Sequence, residues 1–124
     1  MDGKRRVALA AGVGLAGTGL WAFFAPASFY DFATYPPYNR HFIHDVGAFL
    51  LGLGAVLAIA GFVRDGLFVA VGGNAVGAWF HGISHLIDKE IGGGSWRDPV
   101  LTIGFAIALS AFAWSVRPSK TPAS

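Results

Sequence analysis

The chain contains no cysteine and one methionine, and only 13% of its residues are Asp, Glu, Lys or Arg. Globular domains carry roughly 25% charged residues. Without cysteine there is no disulfide framework, zinc ribbon, iron–sulfur ligand set or thiol nucleophile. With 54% hydrophobic residues the chain is no disordered segment, which requires low hydrophobicity and high charge. The same numbers, with a mean hydropathy of +0.55, argue against an ordinary water-soluble domain. The 18 glycines lack the period of collagen. Glycines scattered through apolar runs instead suit membrane helices, where small residues let backbones approach closely.

What is present is hydrophobic length. A membrane-crossing helix needs about 20 mostly apolar residues, and four stretches qualify: 7–25, 42–63, 67–87 and 100–116. The first holds no charge. The second has His44 and Asp45 in its first turn, and the third is interrupted by Asn74, His81, Ser84 and His85. Short connections make sequential spans antiparallel neighbours. The expected fold is all-α, an integral membrane four-helix bundle that uses residues 1–124 as a single four-span transmembrane domain.

Direction follows from the basic residues. Lys4, Arg5, Arg6, Arg64, Arg117 and Lys120 fall on one face; Arg40, Lys89 and Arg97 fall on the other, with Asp31, Asp45, Asp88, Glu90 and Asp98. Cytoplasmic loops are enriched in Lys and Arg, so the N- and C-termini are both expected to be cytoplasmic and the protein multi-pass in the plasma membrane. The net charge of +2 mostly reflects this collar, and with no basic stripe on any one element nucleic acid is not an expected partner. The lipid bilayer is. Lys4-Arg5-Arg6 ahead of an apolar run and Ala25-Pro26-Ala27 also mimics a cleavable secretory signal. Signal cores are about 7–15 residues long. This run is longer and ends in the interfacial aromatics Trp21, Phe23 and Phe24, so a retained helix is expected.

Residues 26–41 are aromatic and proline-kinked. Pro36-Pro37 forbids a continuous helix, and Phe29, Tyr30, Phe32, Tyr35 and Tyr38 form either an interfacial belt or a cap over the bundle end. Residues 88–99 contain Gly92-Gly93-Gly94 and are expected to be mobile, with Asp98-Pro99 opening the last helix. The tail after Arg117 is short and polar and is expected to be disordered.

Gly12-Val13-Gly14-Leu15-Ala16-Gly17 matches G-x-G-x-x-G. The dinucleotide fingerprint requires a strand before it and a βαβ unit around it. Inside an uncharged helix it reads as packing glycine, and no nucleotide is expected. Gly73-x-x-x-Gly77 has the same reading, within the bundle or between protomers.

The four histidines gather at one end of the expected bundle. His41 and His44 are spaced i, i+3 and His81 and His85 i, i+4, so each pair shares a helix face. His44 stands 20 residues before Arg64, and His85 stands 20 residues after Asp65. At 1.5 Å per residue both lie about 30 Å from the turn between these spans, level on neighbouring helices that could share one ligand. Asn74, His81 and Asp88 repeat every seven residues on the third span; His41, His44, Asp45, Ala48, Gly52 and Ala55 line one side of the second. Polar residues in a span usually face the bundle interior or a wet cavity, so the two stripes are expected to face each other.

Several chemistries fit the cluster. Neutral imidazole is the commonest metal ligand, with Asp45 or Asp88 as ligand or supporting partner. His and carboxylate without sulfur suit Zn²⁺, Fe²⁺ or Cu²⁺. A haem held between His44 and His85 is a further use, although the bundle must open to admit the ring. Proton handling is another, since His and Asp chains mark relays in transporters. Against all of these stands an unliganded polar network near the membrane interface, with Asp45 capping its helix or pairing with Arg40. Asn74 reads as an interhelical hydrogen bond.

The order Trp21…Ala25-Pro26…Phe29-Tyr30, then Pro37-Tyr38-Asn39-Arg40-His41 and His44-Asp45-x-Gly47, then His81…His85 resembles small bacterial four-helix membrane proteins of the DoxX-like kind, many of unknown function. The resemblance covers most of the chain and implies a bundle in the bacterial inner membrane. Some DoxX relatives are associated with quinone- or thiol-linked redox partners. The thiol role does not carry over to a chain without cysteine, and the family supplies no catalytic role for the histidines.

The leading expectation is a metal or small-ligand site on His44, His81 and His85, supported by His41, Asp45 and Asp88. It would serve redox or metal-assisted chemistry if the protein is an enzyme. The rival is a non-enzymatic accessory or scaffold subunit that binds a membrane partner or a second copy of itself. A third class, proton-coupled permeation, requires an oligomer because four short spans are too few for a monomeric transporter.

Overall fold

The computed structural model describes residues 1–34, 36–63, 65–91 and 95–118. They form five helices: α1 (Gly3–Phe24), α2 (Pro26–Ala33), α3 (Arg40–Ala60), α4 (Leu67–Ile87) and α5 (Arg97–Ser115). Among the described residues there is no strand. α1, α3, α4 and α5 are each long and apolar enough to cross a membrane.

α4 has the expected bounds, and the other spans differ from expectation for local reasons. α1 begins at Gly3 because Asp2 caps it, its carboxylate accepting the Arg5 N–H at 3.0 Å. The Asn39 side chain likewise accepts the Phe42 N–H at 3.0 Å and starts α3 at Arg40. Such caps satisfy backbone donors that the first turn leaves without partners. α3 ends at Ala60 rather than residue 63, because the Gly61 and Phe62 N–H groups reach back only three residues, to Ala58 and Ile59.

The aromatic segment is more ordered than a kinked loop. Pro26 sits in the first turn of α2, where its missing N–H costs nothing. α2 folds back on α1: Trp21 packs on Phe29 and Phe32, each at 5.3 Å between centroids, and its ring N–H donates to Ser28 Oγ at 3.1 Å. Thr34 ends the helix in the left-handed region at φ 56°. Tyr35, Arg64, Gly92-Gly93-Gly94 and Lys120 lie outside the described residues, as does most of the tail.

The helices pack as two tight antiparallel pairs, α1 with α3 and α4 with α5. The α1–α3 seam is built from glycine. Gly12 lies against Gly54 and Ala58, and Gly19 against Gly47 and Leu51. A Cβ added to Gly12 would stand 2.6 Å from the Gly54 carbonyl oxygen, and one on Gly19 would stand 2.7 Å from that of Gly47. No side chain fits between these backbones. Lipid tails are as apolar as leucine, so close packing rather than expulsion from water joins membrane helices. In the α4–α5 pair Val71, Ala75 and Ala78 meet Ala106, Leu109 and Ala113, and the Trp79 ring N–H donates to Ser110 Oγ at 3.0 Å. Leu57 and Ala60 of α3 join this cluster.

α3 and α4 otherwise share little surface. Between them an apolar groove of about 460 Å³ opens, with Leu53, Val56, Ala60, Val69, Gly73 and Asn74 among its lining. Phe24, Phe49, Phe62, Val69, Phe80 and Ile87 point outward and are exposed. On a water-soluble protein such an apolar surface would be a binding site or an aggregation liability; on spanning helices it is the face that meets lipid. The antiparallel order puts the start of α1 and the end of α5 beside the α3–α4 turn, where Lys4 Nζ donates to the Ser115 carbonyl at 2.5 Å and Arg5 Nη1 to that of Gly61 at 3.5 Å. The histidines occupy the other end.

Candidate functional site

The histidine end has two side-chain pairs rather than one cluster. On α4, the i, i+4 spacing stacks His81 and His85 with ring centroids 4.8 Å apart and Nε2 atoms 3.0 Å apart. A hydrogen bond at this distance requires one Nε2 to carry a hydrogen and the other to accept it. The Ser84 hydroxyl donates to the His81 carbonyl at 2.7 Å, and α4 closes where the Asp88 N–H donates to the Ser84 carbonyl at 2.8 Å. His85 is in the last turn, where the helix dipole favours positive charge. Asp88 is the C-cap residue and half-buried.

On α3, His41 Nε2 and Asp45 Oδ2 stand 3.6 Å apart, both exposed to the surroundings of the bundle end. His44 instead packs on Phe23 of α1, with centroids 5.2 Å apart and planes at 33°. It therefore belongs to the α1–α3 seam. Among the described residues no three His, Asp or Glu side chains form a group that could hold a metal ion.

The expectation that the two polar stripes face each other is corrected here. α3 turns Ile43, Gly47, Gly54 and Leu57 inward, and it is α1 that covers Gly47 and Gly54. This leaves His41, Asp45, Ala48 and Gly52 on exposed positions, and a Cβ on Gly52 would meet nothing within 4 Å. Equal distance from the turn does not bring two side chains together unless the helix faces also meet. α3 is held face-on by α1, with Gly47 and Gly54 seated directly against the α1 backbone.

Asn74 differs from expectation too. It is 6% exposed, and its Nδ2 donates within its own helix, to the Ala70 carbonyl at 3.0 Å, rather than across to another. Its Oδ1 has no partner among the described residues and is not sealed off, since no unpaired side-chain atom there is fully enclosed. Asn74 lines the α3–α4 groove beside Gly73. The groove was not legible as a site in the sequence; its one signal was the Gly73-x-x-x-Gly77 spacing around Asn74. Gly12 of the G-x-G-x-x-G match belongs to the α1–α3 seam, and Gly14 and Gly17 have nothing within 4 Å.

Beyond the end of α4, Lys89 lies over the Trp96 ring at 4.9 Å and donates to Glu90 at 2.9 Å. That hydrogen bond holds the Glu90 carboxyl below the usual carboxylate range. No family model, curated protein or solved structure matches this chain.

Proposed function

We propose that the protein is a small multi-pass protein of the bacterial inner membrane, DoxX-like in kind, that binds a divalent metal or small ligand through His81 and His85 and supports redox or metal-assisted chemistry there. The carrying observation is the 3.0 Å between the two Nε2 atoms. Two imidazoles on one tetrahedral ion, each about 2.05 Å from it, have nitrogens about 3.3 Å apart. The pair is therefore within a few tenths of an ångström of a chelating bite. Zn²⁺, Fe²⁺ and Cu²⁺ suit these nitrogens. His41 and Asp45, 3.6 Å apart, lie at the same end of the bundle, as do His44 and Asp88. The basic residues beside the α3–α4 turn orient that end, with both termini, toward the cytoplasm.

Elemental analysis and an absorption spectrum of the detergent-purified protein test this reading against His81→Ala/His85→Ala. The expected result is bound metal in the wild type, reduced at least tenfold in the double variant. A wild type that stays metal-free after incubation with Zn²⁺ and gel filtration overturns it. A second reading, a non-enzymatic subunit that docks another membrane helix, is favoured by the open Gly73 and Gly77 on α4. It expects the histidine variants to be silent.

A further inference from the structure

On the metal-binding reading, His81 and His85 supply two of the ligands that a metal site needs. Structural zinc takes four protein donors and catalytic zinc three, yet among the described residues no third His, Asp or Glu joins the pair. The missing ligands must come from outside the chain or be water. The α4 face that carries His81 decides between these. Asn74, Gly77, His81, Ser84 and Asp88 follow one another at alternating steps of three and four, the a/d spacing of a helix that pairs with another helix. Among the described residues nothing occupies this seam at its glycine: a Cβ on Gly77 would meet no atom within 4 Å, nor would one on the adjacent Gly73. At the α3–α4 groove the seam continues to Asn74, more than nine-tenths buried by this chain's own helices, whose Oδ1 accepts no hydrogen bond among the described residues.

We propose that a second copy of this chain covers the seam, α4 against α4, and that the metal site is completed by the partner's equivalent pair. This rests on the metal-binding reading above. Three observations select a second copy. An asparagine amide is both donor and acceptor, so two copies related by a two-fold axis satisfy each other, and asparagine at an a position sets register in parallel helix pairs. Copies inserted with the same topology present parallel α4 helices, which brings identical residues level. The ligand count then closes at four imidazoles, the number a tetrahedral ion requires. Gly77, between the asparagine and histidine levels, allows the close approach that glycine gives membrane helix pairs. On metal binding the proton shared by His81 and His85 leaves Nε2 for Nδ1 of the same ring, so both Nε2 lone pairs face the ion and no net proton is released.

Zn²⁺ titration of the full chain in detergent, with mass measured in solution, tests the proposal beside Gly77→Leu and His81→Ala/His85→Ala. One Zn²⁺ per two chains in a dimer is expected. Gly77→Leu, which retains both histidines, should lose at least tenfold in Zn²⁺ affinity and become monomeric. The absence of native cysteine provides a second measurement in membranes: Gly77→Cys should form an oxidised dimer, and Val76→Cys, on the exposed face, should not. One Zn²⁺ per monomeric chain overturns the shared site while leaving metal binding at His81/His85 intact. No Zn²⁺ binding by the wild type overturns both, and crosslinking through Val76→Cys instead of Gly77→Cys overturns the α4 seam.

Discussion

The α1–α3 seam and the exposed face of α4 use the same residue for opposite situations. At Gly12, Gly19, Gly47 and Gly54 a single added carbon would strike the backbone of the facing helix. At Gly73 and Gly77 it would strike nothing. Both regions combine glycines with apolar residues in a span, and composition does not separate them. The difference is whether a partner helix is already in place. A glycine with a backbone against it is a packing contact, whereas a glycine with open space in front of it gains no contact within the monomer and costs about 1 kcal/mol relative to alanine in a helix.

Substitutions can break or sharpen this contrast, with unfolding followed by SDS titration in mixed micelles. The largest effect is expected from Gly54→Ala, whose Cβ would be 2.6 Å from the Gly12 carbonyl oxygen. It should destabilise by about 2–3 kcal/mol, the upper part of the range for overpacked contacts. Gly12→Ala should cost a similar amount, and the double variant less than the two together, because the first change has already moved the helices apart. An additive double variant would show that the seam is not a single contact. Gly82→Ala comes next, at about 1–2 kcal/mol, since its Cβ would meet the Ile103 side chain at 2.8 Å but backbone only at 3.3 Å. Asn39→Ala should cost about 1 kcal/mol through loss of the α3 cap, with the α1–α3 seam unchanged. The smallest effect is expected at Gly17→Ala, on the open side of α1. It should be neutral or stabilise by up to about 1 kcal/mol, and a clear loss there would mean that this face too is covered.

The span lengths were legible because they depend only on runs of apolar residues, and α4 was read to its ends. Helix starts shifted where a single polar side chain, Asp2 or Asn39, capped a turn of charged residues that hydropathy excludes. α2 was missed because eight residues of mixed aromatics carry no periodicity long enough to separate a helix from a loop. For the site, spacing was enough to pair His81 with His85, an i, i+4 relation within one rigid helix. The relation of α3 to α4 was not accessible that way. His44 turned to Phe23, and the α3 stripe remained exposed, because rotation about a helix axis is set by the neighbour that packs best.

Hydrophobic length, the i, i+4 histidine pair and the absence of any thiolate ligand were determined by the sequence alone, since each is a property of one segment or of composition. Only the tertiary structure decided which glycines are filled, that Asn74 bonds its own helix and keeps an oxygen on a groove, and that the histidine end holds two pairs instead of one cluster. Those outcomes depend on close contact between backbones, and a gap of about 0.5–1 Å already forfeits a quarter to a half of the van der Waals attraction. A few tenths of an ångström at Gly12 and Gly54, invisible in residue spacing, therefore determine which face of α3 is left for anything else to use.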